Sequence, residues 1–63
     1  MDVNKALEMF DKVWNIFFVQ GKDYSKEQIR AILLLAKKRK RKTIHHITEK
    51  DIRDALNDTA VNQ

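Results

Sequence analysis

A run of six consecutive cations is the part of this sequence best suited to bind a ligand. The run carries a formal charge of +6, whereas the whole chain of 63 residues has a net charge of +4. The other charges are therefore slightly acidic in sum, and the positive charge is concentrated in one place. Lysine and arginine side chains bind phosphate groups and carboxylates. This basic segment consists of Lys37, Lys38, Arg39, Lys40, Arg41 and Lys42.

Several interpretations of the basic segment remain open. It could contact nucleic acid or an acidic protein surface, serve as a nuclear-import signal in a eukaryote, or simply complement the dipole at a helix C-terminus. Consecutive helical residues point about 100° apart, so one face of a duplex cannot meet all six. The segment also has no aromatic side chain to stack on bases. If it binds DNA, we expect a non-specific electrostatic contact rather than sequence readout.

The sequence contains no combination of residues that predicts catalysis or metal binding. His45 and His46 are adjacent in a connector, where neighbouring histidines rarely supply two ligands to one metal. The chain has no cysteine, which excludes thiolate chemistry and cysteine-based zinc sites. Ser25 is assigned to a helix cap, and the carboxylates are expected on solvent faces with nothing nearby to perturb them. We therefore expect neither an enzyme nor a cofactor.

Length and composition predict one all-α domain over residues 1–63. One glycine and no proline leave few of the residues that form β-turns. The first residues do not resemble a signal peptide, and the longest apolar run, at 16–19, is far shorter than the roughly 20 residues that span a bilayer. We expect a soluble cytoplasmic protein. Because so short a chain buries a small core, we also expect it to oligomerise.

The first helix is expected from Val3 to Gln20, with Asp2 as its N-cap and Gly21 just past its end. Apolar residues recur at helical spacing along this segment. The resulting stripe is so wide and aromatic that one small protomer could hardly cover it. A partner helix from a second copy is therefore expected to complete the core.

Two capping boxes mark the starts of the next helices. Ser25 and Gln28 form the first box, and the helix that follows is expected to run to about Arg41. The second box begins at Thr48 and is weaker, because its fourth residue is Asp51 rather than Glu or Gln.

The remaining segments are a connector and a terminus. The connector at 43–46 could be extended, and residues 57–63 are expected to fray. The apolar residues expected at a dimer or partner interface come from the first two helices. They are Phe10, Trp14, Phe17, Phe18, Ile29, Ile32, Leu33 and Ala36.

The segment from residue 24 to residue 38 reads Tyr-Ser-Lys-Glu-Gln-Ile-Arg-Ala-Ile-Leu-Leu-Leu-Ala-Lys-Lys. It resembles the helical-hook segment of the SinI/SinR-type dimerisation domain, and the preceding residues 14–21 are similar to that family's shorter first helix. The resemblance therefore extends over about residues 14–41. The positions that match the family pattern are Tyr24, Ser25, Glu27, Ile29, Arg30, Leu33, Leu34 and Lys37.

This resemblance implies an intertwined homodimer in which two long helices form a hook, here with a short third helix added. In that family the stand-alone type binds a DNA-binding transcriptional repressor. The resemblance therefore implies a small regulator of transcription, either an anti-repressor or a corepressor. The longer first helix, the basic segment and the adjacent histidines depart from the family pattern. The alternative is a small basic protein that contacts the DNA phosphate backbone through residues 37–42.

A second resemblance is weaker. Residues 41–44, followed by Asp51-Ile52 and Ala55-Leu56, are similar to the end of the histone fold. The connector is longer here and the central helix is shorter than that fold requires. A helix-turn-helix is also disfavoured, because the connector is longer than the usual tight turn.

Overall fold

The computed structural model describes residues 2–17 and 23–61, the last three of these as backbone only. The described residues are mainly helical and include no strand, which confirms the all-α prediction. An antiparallel bridge joins Asp2 to Thr43. Every helix in the described ranges is too short or too polar to cross a membrane. The elements are α1 (Val3–Glu8), α2 (Phe10–Val13), a 3₁₀ turn (Trp14–Ile16), α3 (Lys26–Lys38), a second 3₁₀ turn (Ile44–His46) and α4 (Glu49–Val61).

The prediction of a continuous first helix is wrong. Asp2 caps α1 as expected, because its Oδ1 accepts a hydrogen bond from the Lys5 amide at 2.8 Å. The helix nevertheless breaks at Met9, and the chain becomes extended at Phe17. A straight 18-residue helix would be about 27 Å long, against about 20 Å for the 13 residues of α3. The break keeps the aromatic residues over α3. The expected end of the helix, including Gly21, lies outside the described residues.

The predicted capping box of α3 is confirmed. The Gln28 amide donates to Ser25 Oγ at 3.2 Å, and the Ser25 amide donates to Gln28 Oε1 at 2.8 Å. The helix ends at Lys38, three residues earlier than expected. The basic segment therefore crosses the end of α3 rather than lying within it.

A left-handed residue ends α3. Lys40 has a φ of 61°. Its amide donates to the Lys37 carbonyl at 3.0 Å, and the Arg41 amide donates to the Ala36 carbonyl at 2.9 Å. This pair of bonds is the Schellman motif, in which glycine normally takes the left-handed position. The motif reverses the chain direction immediately after the helix.

The connector and α4 also differ from the prediction. Thr43 is extended, but the following three residues form a 3₁₀ turn rather than an extended segment. The backbone of α4 is helical to Val61, beyond Asn57 where fraying was expected to begin. Helix α3 packs against α1 on one side and α4 on the other, so it occupies the centre of the domain.

Apolar residues of one chain form the core by themselves. Four side chains of α3 are at most 1% exposed, and they are covered by apolar residues from both flanking segments. Phe10 and Phe17 of the aromatic stripe are therefore covered within one chain, whereas Trp14 is partly buried and Ile16 is exposed; the second copy stays a prediction. The buried core residues are Val3, Ala6, Phe10, Phe17, Ile29, Ile32, Leu33, Ala36, Ile47, Ile52 and Ala55.

Candidate functional site

Asp51 is the buried charged residue of the described structure. Its exposed fraction is 0%, and it lies in the first turn of α4. Burying a carboxylate is unfavourable unless charged partners and hydrogen-bond donors replace the lost water. The surroundings of Asp51 supply both.

Two arginines of the basic segment bind this carboxylate. Arg39 Nη1 donates to Asp51 Oδ1 at 2.8 Å. Arg41 donates to both carboxylate oxygens, from Nε at 2.9 Å and from Nη2 at 3.2 Å. The planar guanidinium makes this two-point geometry possible, whereas a lysine ammonium cannot reproduce it. We call Arg39, Arg41 and Asp51 the arginine clasp.

Thr48 completes the coordination of Asp51. The Thr48 amide donates to Asp51 Oδ2 at 3.0 Å, and the Asp51 amide donates to Thr48 Oγ1 at 3.2 Å. These are the two bonds of a capping box, so the predicted box is present with Asp at its fourth position. One carboxylate thus caps α4 and binds both arginines. It fixes the start of α4 against the end of α3.

An outer ion pair extends the clasp toward solvent. Arg39 Nη2 donates to Asp54 Oδ2 at 2.8 Å, and Lys50 Nζ lies 3.4 Å from the same oxygen. The Asp54 side chain is 31% exposed, so water screens this pair more than it screens Asp51.

The clasp shifts the pKa values of its members. Hydrogen bonds from Arg41, then from Thr48 and Arg39, hold the pKa of Asp51 well below its ordinary value despite burial. The hydrogen bond from Arg39 lowers the pKa of Asp54 in the same way. The two aspartates, Asp51 first, raise the pKa of Arg39. Asp51 is therefore ionised throughout the neutral range.

These contacts correct one expectation. The carboxylates do not all lie on solvent faces without neighbours, since Asp51 is buried and paired. The contacts also divide the basic segment, because Arg39 and Arg41 bind aspartates of the same chain. The sequence did contain a signal for this pairing. The basic segment has arginine rather than lysine at two alternate positions, and arginine suits two-point binding of a carboxylate.

The four lysines of the basic segment remain exposed around the clasp. Lys37, Lys40 and Lys42 line a groove of about 710 Å³, together with Asp2, Asn4, Arg41 and Thr43. Lys38 lies on the other side of α3, where it lines a smaller groove against α4. The clasp arginines are balanced by Asp51 and Asp54, and the remaining charges of the chain cancel. The four lysines therefore account for the whole net charge of +4.

The adjacent histidines lie on the surface of the second 3₁₀ turn. Both are exposed, and Nδ1 of His46 lies 3.2 Å from Thr43 Oγ1. Within the described residues, no three His, Asp or Glu side chains form a group that could hold a metal ion.

The residues predicted at an interface fall into three groups. Six of them are core residues of a single chain: Phe10, Phe17, Ile29, Ile32, Leu33 and Ala36. Trp14 is partly buried against that core, and Phe18 lies outside the described residues. Two large apolar residues that were not predicted there are exposed instead, Ile16 at 60% and Leu34 at 49%.

Comparisons of this chain with protein families, curated proteins and solved structures find no match. Function is therefore inferred from the geometry of the described residues.

Proposed function

We propose that this protein is a small regulatory protein that binds duplex DNA non-specifically, by contacting phosphates with Lys37, Lys40 and Lys42, which line one groove. The observation that carries this proposal is the arginine clasp. It pairs both arginines with aspartates, although their side chains stay about one third exposed, and it attaches the lysine-bearing turn to α4. A turn that is ordered before binding loses less conformational entropy when it meets a ligand.

The distinction between arginine and lysine bears on specificity. Arginine reads guanine by two-point hydrogen bonding in the major groove. Lysine acts as a point charge and attracts phosphate with little dependence on base sequence. With Arg39 and Arg41 engaged by Asp51, the cations left for a duplex are lysines. Binding without sequence preference follows.

The backbone of Lys40 supports a role for its charge. A left-handed conformation favours glycine over lysine by roughly 1 kcal/mol. Lysine at this position therefore destabilises the turn slightly while it places a cation at the turn's apex. Strain of this kind is characteristic of functional positions.

Salt dependence tests the proposal. Fluorescence anisotropy of a labelled duplex would be measured with the full chain from low to physiological salt. Three phosphate contacts predict a fall of about 2.7 log units in affinity per log unit of salt. Lys40→Gln combined with Lys42→Gln should reduce that slope by about 1.8.

The matched control removes the same charge elsewhere. Lys5→Gln combined with Lys12→Gln leaves all three proposed contacts and the clasp in place, so it should keep most of the slope. Equal losses from the two double variants would show that net charge alone governs binding. No shift of any duplex at low salt would overturn the proposal.

A second candidate function is modulation of a DNA-binding repressor, as the resemblance to the SinI/SinR-type domain implies. One observation favours it: Leu34, within the segment that carries the resemblance, is half exposed. Ile29 and Leu33 of the same segment are core residues of one chain. A hook shared with another protein would form only if that partner displaced α1 or α4 from α3.

Affinity capture from the native host tests this second candidate. The full chain should recover a DNA-binding protein, and Leu34→Ser should not. Recovery of only metabolic enzymes or membrane complexes would contradict it.

A further inference from the structure

Arg41 belongs both to the arginine clasp and to the groove that three lysines of the basic segment line. Its guanidinium binds Asp51 through Nε at 2.9 Å and through Nη2 at 3.2 Å. The same residue lines the groove of about 710 Å³ formed with Lys37, Lys40 and Lys42, which we call the lysine groove. The Arg41 side chain is 36% exposed, whereas that of Asp51 is 1% exposed. Arg41 therefore connects a buried acid to a basic groove.

The bonds to Asp51 leave part of the Arg41 guanidinium available. A guanidinium carries five N–H groups in a rigid plane. The contact with Asp51 uses the N–H of Nε and one N–H of Nη2, which lie along one edge of that plane. Among the described residues, none accepts a hydrogen bond from Nη1 or from the second N–H of Nη2. These groups form another two-point edge, which can bind a second anion.

Arg39 is bound differently, which provides a comparison within the same clasp. Its Nη1 donates to Asp51 and its Nη2 donates to Asp54, both at 2.8 Å. Acids of the same chain therefore engage both ends of its fork. Arg39 also does not line the lysine groove. Of the two clasp arginines, Arg41 is the one that combines an available edge with a place in the groove.

The position of Arg41 is fixed by contacts on every side. Its amide donates to the Ala36 carbonyl at 2.9 Å in the Schellman motif, and the carbonyl of the next residue, Lys42, accepts from the Val3 amide at 2.9 Å. The backbone is thus attached to α3 and to α1, while Asp51 attaches the side chain to α4. A group that is held in this way loses little conformational entropy when it binds a ligand.

We propose that Arg41 binds a phosphate group in the lysine groove through Nη1 and the second N–H of Nη2, while Asp51 holds its other edge. Arginine commonly binds phosphate at two points. The groove lysines supply the positive charge that Asp51 neutralises on Arg41. Asp2 is the acidic residue of the groove, and its Oδ1 is engaged by the Lys5 amide as the cap of α1. The inference rests on the proposed function, which names the backbone of a duplex as the source of the phosphate.

Lysine substitution at each clasp arginine tests this contact. Fluorescence anisotropy of a labelled duplex would be measured with Arg41→Lys and Arg39→Lys, after circular dichroism has shown that both are folded. Both variants keep the charge and loosen the clasp, so the loss in Arg39→Lys measures the effect of loosening alone. Arg41→Lys should lose about tenfold more affinity, because it also loses the two-point bond to phosphate. The salt dependence should match wild type in both variants, because the charge is unchanged.

NMR of the arginine side chains in the wild-type chain provides a measurement that does not depend on a variant. The guanidinium signals of Arg41 should shift more than those of Arg39 when the duplex is added, and also when inorganic pyrophosphate is added. Arg41 signals that neither ligand shifts, or equal losses of affinity in the two variants, would overturn the inference and leave the DNA proposal to its lysine variants. A shift with pyrophosphate but no binding of the duplex would overturn the DNA proposal and support Arg41 as the ligand of a smaller phosphate compound.

Discussion

Arg39 Nη1 and Asp51 Oδ1 lie 2.8 Å apart although twelve residues separate them in the chain. The bond joins the C-cap of α3 to the first turn of α4. Arg41 binds the same carboxylate at both oxygens, so the turn that carries the exposed lysines is attached to α4 from two points. The order of the candidate surface thus depends on one buried carboxylate.

Asp51→Asn should destabilise the fold by about 2–3 kcal/mol. The substitution leaves two guanidinium groups without their charged acceptor, and removing one partner of a buried pair is strongly destabilising. The expected loss of stability is smaller than for a fully buried ion pair, because the Arg39 and Arg41 side chains are about one third exposed. The midpoint of urea unfolding, followed by Trp14 fluorescence, measures the change.

Two companion variants separate the clasp from the outer pair. Asp54→Asn removes a contact that water screens and should change stability much less than Asp51→Asn does. Arg41→Lys keeps the charge but loses the two-point geometry, so its effect should be intermediate. Equal effects of Asp51→Asn and Asp54→Asn would contradict the assignment of Asp51 as the central acceptor. If Asp51→Asn fails to fold, Arg41→Lys still provides the comparison.

Stability should fall in acid because the pKa of Asp51 is lower in the folded than in the unfolded state. An unfolded aspartate titrates near about 3.9, so the contribution is complete above that pH and declines as pH falls toward the folded pKa. Urea midpoints would be measured for wild type and Asp51→Asn from neutral pH downward. The two midpoints should differ above about pH 4 and converge below it. A constant difference down to the acid limit would argue against this linkage.

Lys40→Gly should stabilise the fold by about 0.5–1 kcal/mol. Glycine adopts the left-handed conformation of the Schellman motif without the steric penalty of a Cβ atom. Lys40→Ala removes the same charge but keeps the Cβ atom, so it serves as the matched control and should give little or no gain. Thermal unfolding of the three proteins measures the difference. A gain of the same size in both variants would indicate relief of charge repulsion among the lysines instead.

Leu33→Ala should destabilise the fold by about 3–5 kcal/mol, whereas Leu34→Ala should change it by less than about 1 kcal/mol. Leu33 is fully buried and Leu34 is half exposed, although they are neighbours on one helix. A stability of roughly 3–9 kcal/mol for a chain of this length means that Leu33→Ala could unfold it. Leu33→Val then provides a milder core variant for the same unfolding measurement.

Short-range signals in the sequence determined the local structure. The Asp2 cap and the Ser25–Gln28 box are formed where they were predicted. The Thr48–Asp51 box is formed as well. Each depends on residues three apart in the chain, so its geometry follows from the helix itself. The all-α architecture follows from helical spacing of apolar residues and from the lack of turn-forming residues.

Only the tertiary structure decided which side chains those helices bury and which charges they pair. The first helix breaks at Met9, and Phe10 and Phe17 are buried because α3 lies beside them in the same protomer. In the basic segment the two arginines are paired and the four lysines are exposed. This difference arises because Asp51 approaches from a helix that begins ten residues after Arg39. Sequence spacing does not encode that approach, because it arises when α3 and α4 pack together and the Schellman turn reverses the chain between them.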